Sequence, residues 1–311
     1  MARVLANGVD HHVRRLPPGG RTGAPTVVFL HGAFIDSLAS YYFTLGPEFA
    51  AAGFDVVLYD LRGHGRSARP ATGYAVEDFV ADLDALLDAL DVHHPVHLVG
   101  NSFGGTVALD FAVRHPHRVA SVTVVESGPA TSEWALTMAG ALKQATETLP
   151  EEEALAWFVQ EYGAVASTRQ GDPAHDAHIA RLGMAAGKLI AATTIAQDIP
   201  AGRVLTETQL RVLERPVLLV NGAEGLVGPQ SERLAALLPD CRVAVVPGQK
   251  HSVLVEASDE VCELALDWVR SHAWSPAPDP ALEPAQDQAP DPAPDLVPDP
   301  APGLVRDGAG P

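Results

Sequence analysis

Apolar and polar positions along the chain alternate between two patterns. Nearly continuous apolar runs at Thr26–Leu30, Val56–Tyr59, Val96–Val99, Val119–Val125, Val217–Val220 and Val243–Val246 predict strands buried on both faces. Helix-period segments separate them, including Val76–Leu90, Thr106–Val113 and Glu256–Arg270. Near the N-terminus, Val4–Ala6 and Val9–Leu16 bracket Asn7-Gly8, a pair suited to the left-handed positions of a tight hairpin turn. Strands alternating with helices predict an α/β fold, a mainly parallel sheet covered by helices on both faces.

The pattern changes between Gly128 and about Thr206, where strand-like runs give way to helix-period segments such as Glu151–Tyr162 and His178–Asp198. The expected organisation is a core of residues 1–128 and 206–273 with a helical cap, 129–205, inserted into it. From Ser275 onward the chain repeats Pro-Ala-Pro-Asp-Pro and close variants. So little large apolar surface cannot offset the entropy of ordering, which predicts a disordered Pro/Asp-rich tail over 274–311.

Composition narrows the class further. With 47% hydrophobic and 19% charged residues, a chain of 311 residues suits one large core. The net charge is −18, and setting aside the tail's −6 leaves about −12 for the body, a surface that nucleic acid would repel. No apolar stretch approaches the roughly 20 residues needed to span a bilayer. Met1-Ala2-Arg3 leads straight into a strand pattern with no secretory core, so a cytoplasmic protein with no membrane association is expected. Cys241 and Cys262 suggest neither a disulfide framework nor a metal site, and His175 and His178, though spaced like ligands, lack a supporting cluster.

Candidate chemistry centres on Gly100-Asn101-Ser102-Phe103-Gly104-Gly105, which closes a strand and opens a helix. A serine on that sharp turn is exposed at a helix N-terminus as a nucleophile, and the glycines allow the neighbouring backbones to approach. A serine hydroxyl needs a base. His251 lies in a comparable strand-to-helix loop, Pro247 to Ser252, whereas His11 and His12 sit in an N-terminal strand, His93, His94 and His97 near a strand start, and His115 and His117 around a helix end. Acyl transfer also needs N–H donors for the developing oxyanion. Phe103, following the nucleophile, supplies one; Ala33, in the loop His31-Gly32-Ala33-Phe34 after the first core strand, is the expected second, with Phe34 as the fallback. His31 is taken as structural. Phe34, Trp134 and Trp157 are candidates to line an acyl pocket, in company with Met138, Phe158 and Tyr162, although each aromatic also suits packing between cap and core.

The His31-Gly32 loop, the turn Asp60-Leu61-Arg62-Gly63-His64-Gly65-Arg66-Ser67, the Gly100–Gly105 elbow and His251 occur in an order and spacing that resemble the α/β-hydrolase superfamily, over about Val4 to Ala273. The resemblance implies that Asp60–Ser67 is a structural turn beside the site, His64 included. It also implies a triad acid three residues beyond a glycine like Gly222, where this chain has Gly225. Two carboxylates remain: Glu224, one residue earlier with a longer side chain, and Glu126, at the end of the strand after the elbow helix, the place some relatives such as the haloalkane dehalogenases use. Both stay open at this level.

The expected function is therefore a serine hydrolase that cleaves an ester or thioester of a small, largely apolar molecule through an acyl-enzyme. Acyl transfer or lactone formation is an alternative outcome, and no cofactor is required. The elbow spelling with Asn101 also resembles the meta-cleavage product hydrolases, a carbon–carbon bond cleaving class, although Phe34-Ile35-Asp36-Ser37 replaces their glycine-rich stretch. A third reading, motivated by the displaced acid, is a ligand-binding protein with little turnover. Oligomeric state is not encoded in these patterns.

Overall fold

Asn7 and Gly8 both take left-handed backbone, with φ of 47° and 73°. They close β1 (Ala2–Ala6) and β2 (Val9–Leu16) into an antiparallel hairpin with Ala6 opposite Val9. The computed structural model describes residues 2–19, 23–144, 173–225 and 227–273, with backbone alone at 173–179 and 229. The hairpin edges a sheet of eight strands, continued by β3 (Thr26–Leu30), β4 (Asp55–Tyr59), β5 (Val96–Asn101), β6 (Val119–Val125), β7 (Val217–Gly222) and β8 (Cys241–Val246). Their order is β1-β2-β4-β3-β5-β6-β7-β8, antiparallel through β4 and parallel from there on.

The apolar runs are strands because both faces of the sheet are covered. Alternate residues of β3 face opposite cores: Val28 and Leu30 join Phe79, Leu83 and Phe111 on one side, while Val27 and Phe29 join Phe49, Val261 and Trp268 on the other. The first layer is carried by helices Val76–Ala89 and Phe103–Arg114, the second by Leu45–Ala51 and Ser258–Ser271.

Between β6 and β7 the described residues form only helices before Thr206: Ser132–Lys143, Pro173–Ala192 and Ile195–Ala201. They are tied to the core by polar contacts. Asp198 accepts the N–H groups of Gly73 and Tyr74 at 3.2 and 3.0 Å, and Arg203 donates to the fully buried Asp110 at 2.7 Å. The helix expected over His178–Asp198 breaks at Thr193 and Thr194. Thr194 N–H turns outward to the Ala71 carbonyl at 3.0 Å, and the Thr193 hydroxyl donates to the Leu189 carbonyl at 2.7 Å. Hydrophobic periodicity runs through this break because the apolar stripe itself is not interrupted. The segment Glu151–Tyr162, with Trp157, Phe158 and Tyr162, and the tail 274–311 lie outside the described residues. No helix among the described residues is long and apolar enough to cross a membrane.

Gly140 sits within helix Ser132–Lys143, and among the described residues a Cβ there would meet nothing within 4 Å. Gly140→Ala is expected to stabilise the protein by about 0.5–1 kcal/mol, mainly by restricting the unfolded chain. The check is a higher denaturant midpoint at unchanged slope.

Candidate active site

The strand order places the site. From β3 the chain moves outward to β4 and then returns to the other flank of β3 as β5, so the loops after β3 and β5 open side by side at a switch point. Leu30 pairs with Gly100 across these strands, which starts the His31-Gly32 loop and the serine elbow at the same level. Glycine is required where they touch. A Cβ on Gly104 would lie 2.1 Å from the Leu30 carbonyl oxygen and 2.7 Å from that of His31, whereas one on Gly32 would make only ordinary contact with the Ser102 Cβ at 3.4 Å.

Ser102 has φ 49° and ψ −124°, a conformation costly for any residue with a side chain and typical of functional sites. Its N–H is held by the Val125 carbonyl at 2.9 Å, and helix Phe103–Arg114 begins immediately after it. The Ser102 Oγ lies 3.1 Å from His251 Nε2, and His251 Nδ1 lies 3.3 Å from Glu126 Oε2. With Nδ1–H donating to the carboxylate, Nε2 is left to accept from the serine hydroxyl. The other Glu126 oxygen accepts the Gly222 N–H at 2.6 Å. Glu126, at φ 46° on the end of β6, has no exposed side-chain surface, whereas the His251 side chain retains 17%.

The structure thus brings Ser102, His251 and Glu126 together and leaves Glu224 apart. Glu224 is exposed, and its backbone N–H is bonded to the Gln249 carbonyl at 2.9 Å. Gly225 explains the division of space: a Cβ there would lie 2.1 Å from Glu126 Oε1. The Glu126 carboxylate occupies the room that a side chain at position 225 would need.

Among the described residues no acceptor lies on the N–H of Ala33 or Phe103. Phe34, the fallback donor, is different, because its N–H donates to His64 Nε2 at 2.8 Å and cannot also face the serine. Phe34 is itself buried, and the Phe103 ring meets Phe79 edge-on at 4.9 Å and stacks with Trp134 at 6.4 Å between centroids. Trp134 is half-buried, and its N–H is capped by the Thr131 hydroxyl at 3.2 Å. Trp157 lies outside the described residues.

The family resemblance implies that the Asp60–Ser67 turn is structural without showing how it acts. Asp60 accepts the N–H groups of Leu38 at 2.9 Å and Arg66 at 2.8 Å, along with His12 Nδ1 at 2.8 Å. His31 Nε2 accepts the Leu61 N–H at 3.0 Å, while its Nδ1 is 2.7 Å from the Gly32 carbonyl. Both ring nitrogens are therefore committed to backbone, leaving neither for acid–base work.

Burial pushes the His64 imidazole down to about 3 and that of His97 to about 4, from an ordinary 6.5. The unfolded chain therefore binds more protons than the folded one between those values and 6.5. This contribution to stability is intact above about pH 6.5 and is lost progressively as the pH falls through the folded values. Melting temperatures are expected to decline on acidification from pH 6.5 to 4, and a flat profile over that window would contradict the burial of these two rings as neutral species.

The chain belongs to the alpha/beta hydrolase fold family, whose model matches residues 25–258. It is similar to a putative non-heme haloperoxidase of Mycobacterium phage D29, 40% identical over 106 residues, which are 34% of this chain and 37% of the relative. The match thus spans well under half of that protein. A pimeloyl-[acyl-carrier protein] methyl ester esterase of Aromatoleum aromaticum is 31% identical over 281 residues, covering 79% of this chain and 98% of the relative. Among solved structures, an N-acyl homoserine lactone degrading enzyme superposes with a TM-score of 0.70 at 28% identity, over 86% of this chain and 100% of the other.

Proposed function

We propose that the protein is a serine hydrolase that cleaves an ester, lactone or thioester of a small, largely apolar molecule through an acyl-enzyme. The observation that carries this reading is the unbroken relay from Ser102 Oγ to His251 Nε2, and from His251 Nδ1 to a fully buried Glu126. Ser102 attacks the carbonyl carbon while His251 takes the hydroxyl proton, and Glu126 holds the imidazole in the required tautomer and offsets its charge. The N–H groups of Ala33 and Phe103 receive the oxyanion. His251 then returns the proton to the leaving group and activates water, or a second hydroxyl, to release the acyl group.

The helical insertion serves as a cap, with Trp134 over Phe103 forming part of the acyl pocket. No cofactor enters this chemistry. Asp36 accepts the Gly32 N–H at 2.8 Å, which puts a carboxylate on the His31-Gly32 loop beside the nucleophile and favours a neutral acyl group over the anionic dienoate of meta-cleavage hydrolysis. The relatives whose descriptions name ester and lactone substrates support the same class.

The test is labelling with a fluorophosphonate, peptide mapping of the adduct, and turnover of p-nitrophenyl esters of graded chain length. Label on Ser102 with turnover of short acyl chains is expected. A protein that resists the label and is inert at every chain length sinks the acyl-enzyme reading and favours a ligand-binding role.

A further inference from the structure

Among the described residues, five other than glycine have positive φ, and three of them, Phe34, Ser102 and Glu126, belong to the site. Ser102 and Glu126 carry side chains assigned to the chemistry. Phe34, at φ 68°, does not, yet a bulky side chain in left-handed backbone is strained and persists only where its surroundings over-determine it. The strain sits one residue after Ala33, so the conformation of Phe34 sets the direction of the peptide that includes the Ala33 carbonyl, and with it the path of the loop past Ser102.

One side chain grips the backbone at that point. His64 Nε2 accepts the Phe34 N–H at 2.8 Å, and His64 Nδ1 is 2.8 Å from the Arg62 carbonyl. The second contact requires Nδ1–H as donor, which leaves Nε2 with the lone pair that Phe34 needs. The ring is 2% exposed and meets His31 in a T-shaped contact at 5.3 Å, so it has little freedom to swing away. Gly63 and Gly65, at φ 78° and 50°, fold the turn tightly on either side of it.

We infer that His64 is a positioning residue for the oxyanion loop: it holds Phe34 in left-handed backbone and thereby keeps the Ala33 N–H aimed at the Ser102 reaction centre. This rests on the serine-hydrolase reading above. His64 touches no reacting atom and exchanges no proton in the cycle. Its effect is to preorganise one of the two oxyanion donors, a term realised in the tetrahedral transition state and little felt by bound substrate. The other donor, at Phe103, is set by the start of its own helix and does not depend on His64.

The experiment compares wild type with His64→Leu, His64→Gln and His64→Asn. It measures kcat and KM for a short-chain p-nitrophenyl ester, affinity for an aryl boronic acid whose tetrahedral serine adduct places an oxygen in the oxyanion site, and Tm. Glutamine can present Oε1 near the position of Nε2, whereas asparagine is too short to reach and leucine offers no acceptor. The expected result is a kcat loss of about 10²-fold in the Leu and Asn variants, with KM nearly unchanged and a parallel loss of boronate affinity. The Gln variant should recover to within about tenfold of wild type. Should His64→Leu not be recovered folded, the Gln–Asn comparison carries the test alone. Equal kcat in the Gln and Asn variants, or a kcat loss without loss of boronate affinity, overturns the inference. A wild type that neither turns over nor takes a fluorophosphonate overturns instead the reading on which it rests.

Discussion

Glu126→Gln is expected to lower kcat for ester hydrolysis by about 10⁴-fold and Ser102→Ala by about 10⁶-fold, while Glu224→Gln stays within about twofold of wild type. The ranking follows from the geometry. In the proposed mechanism, removing the serine removes the covalent route, so only binding and oxyanion stabilisation survive. An amide at position 126 keeps the shape but loses the charge, and it can hold His251 in the wrong tautomer, with Nε2 protonated and unable to accept from the Ser102 hydroxyl. Glu224 faces solvent and is not hydrogen-bonded to His251. Gly225→Ala would crowd Glu126 Oε1 from a position 2.1 Å away and is expected to lose activity through the same carboxylate. Single-turnover kinetics on the four variants would check the order; a slow Glu224 variant beside a normal Glu126 variant would reverse the assignment of the acid.

The largest loss of stability is expected from Gly104→Ala. The added methyl would lie 2.1 Å from the Leu30 carbonyl oxygen and 2.7 Å from that of His31, both backbone atoms at the centre of the sheet. Neither can rotate away as a side chain could, so β3 and helix Phe103–Arg114 must separate, at a cost of about 4 kcal/mol and a fall in Tm of about 10 °C. Separation also pulls the elbow from the His31-Gly32 loop, so the residual folded protein should lose turnover as well. Gly140→Ala is the matched control, since the same substitution in open space is expected to move stability in the opposite direction. A Gly104→Ala protein with wild-type Tm would show that the two segments are not packed as closely as described.

Much of this architecture is written locally. The runs at Thr26–Leu30 and Val119–Val125 coincide with β3 and β6 residue for residue, because strands buried on both faces are mostly apolar and carry no charged position. The Asn7-Gly8 hairpin follows from two residues that tolerate positive φ, and the serine elbow from Gly100 and Gly104, where a Cβ would lie 2.4 and 2.1 Å from backbone oxygens. These features depend on neighbours in the chain.

The choice between Glu126 and Glu224 does not, and neither does the exclusion of Phe34 as an oxyanion donor. Glu126 faces His251 across 125 positions of sequence because β6 and β7 pair in parallel with Val125 beside Val220, and because Gly225 leaves room for its carboxylate. Phe34 gives up its N–H to His64, thirty residues away, through a turn whose role is visible only once folded. By itself the sequence determined the strand–elbow–helix unit and pointed to Ser102 and His251 as the proposed nucleophile and base, since backbone sterics and hydrophobic periodicity are short-range. The tertiary structure decided that Glu126 rather than Glu224 meets His251 and that Phe34 rather than Ala33 gives up its N–H, because hydrogen-bond partners at the strand ends are set by sheet order and close packing rather than by proximity along the chain.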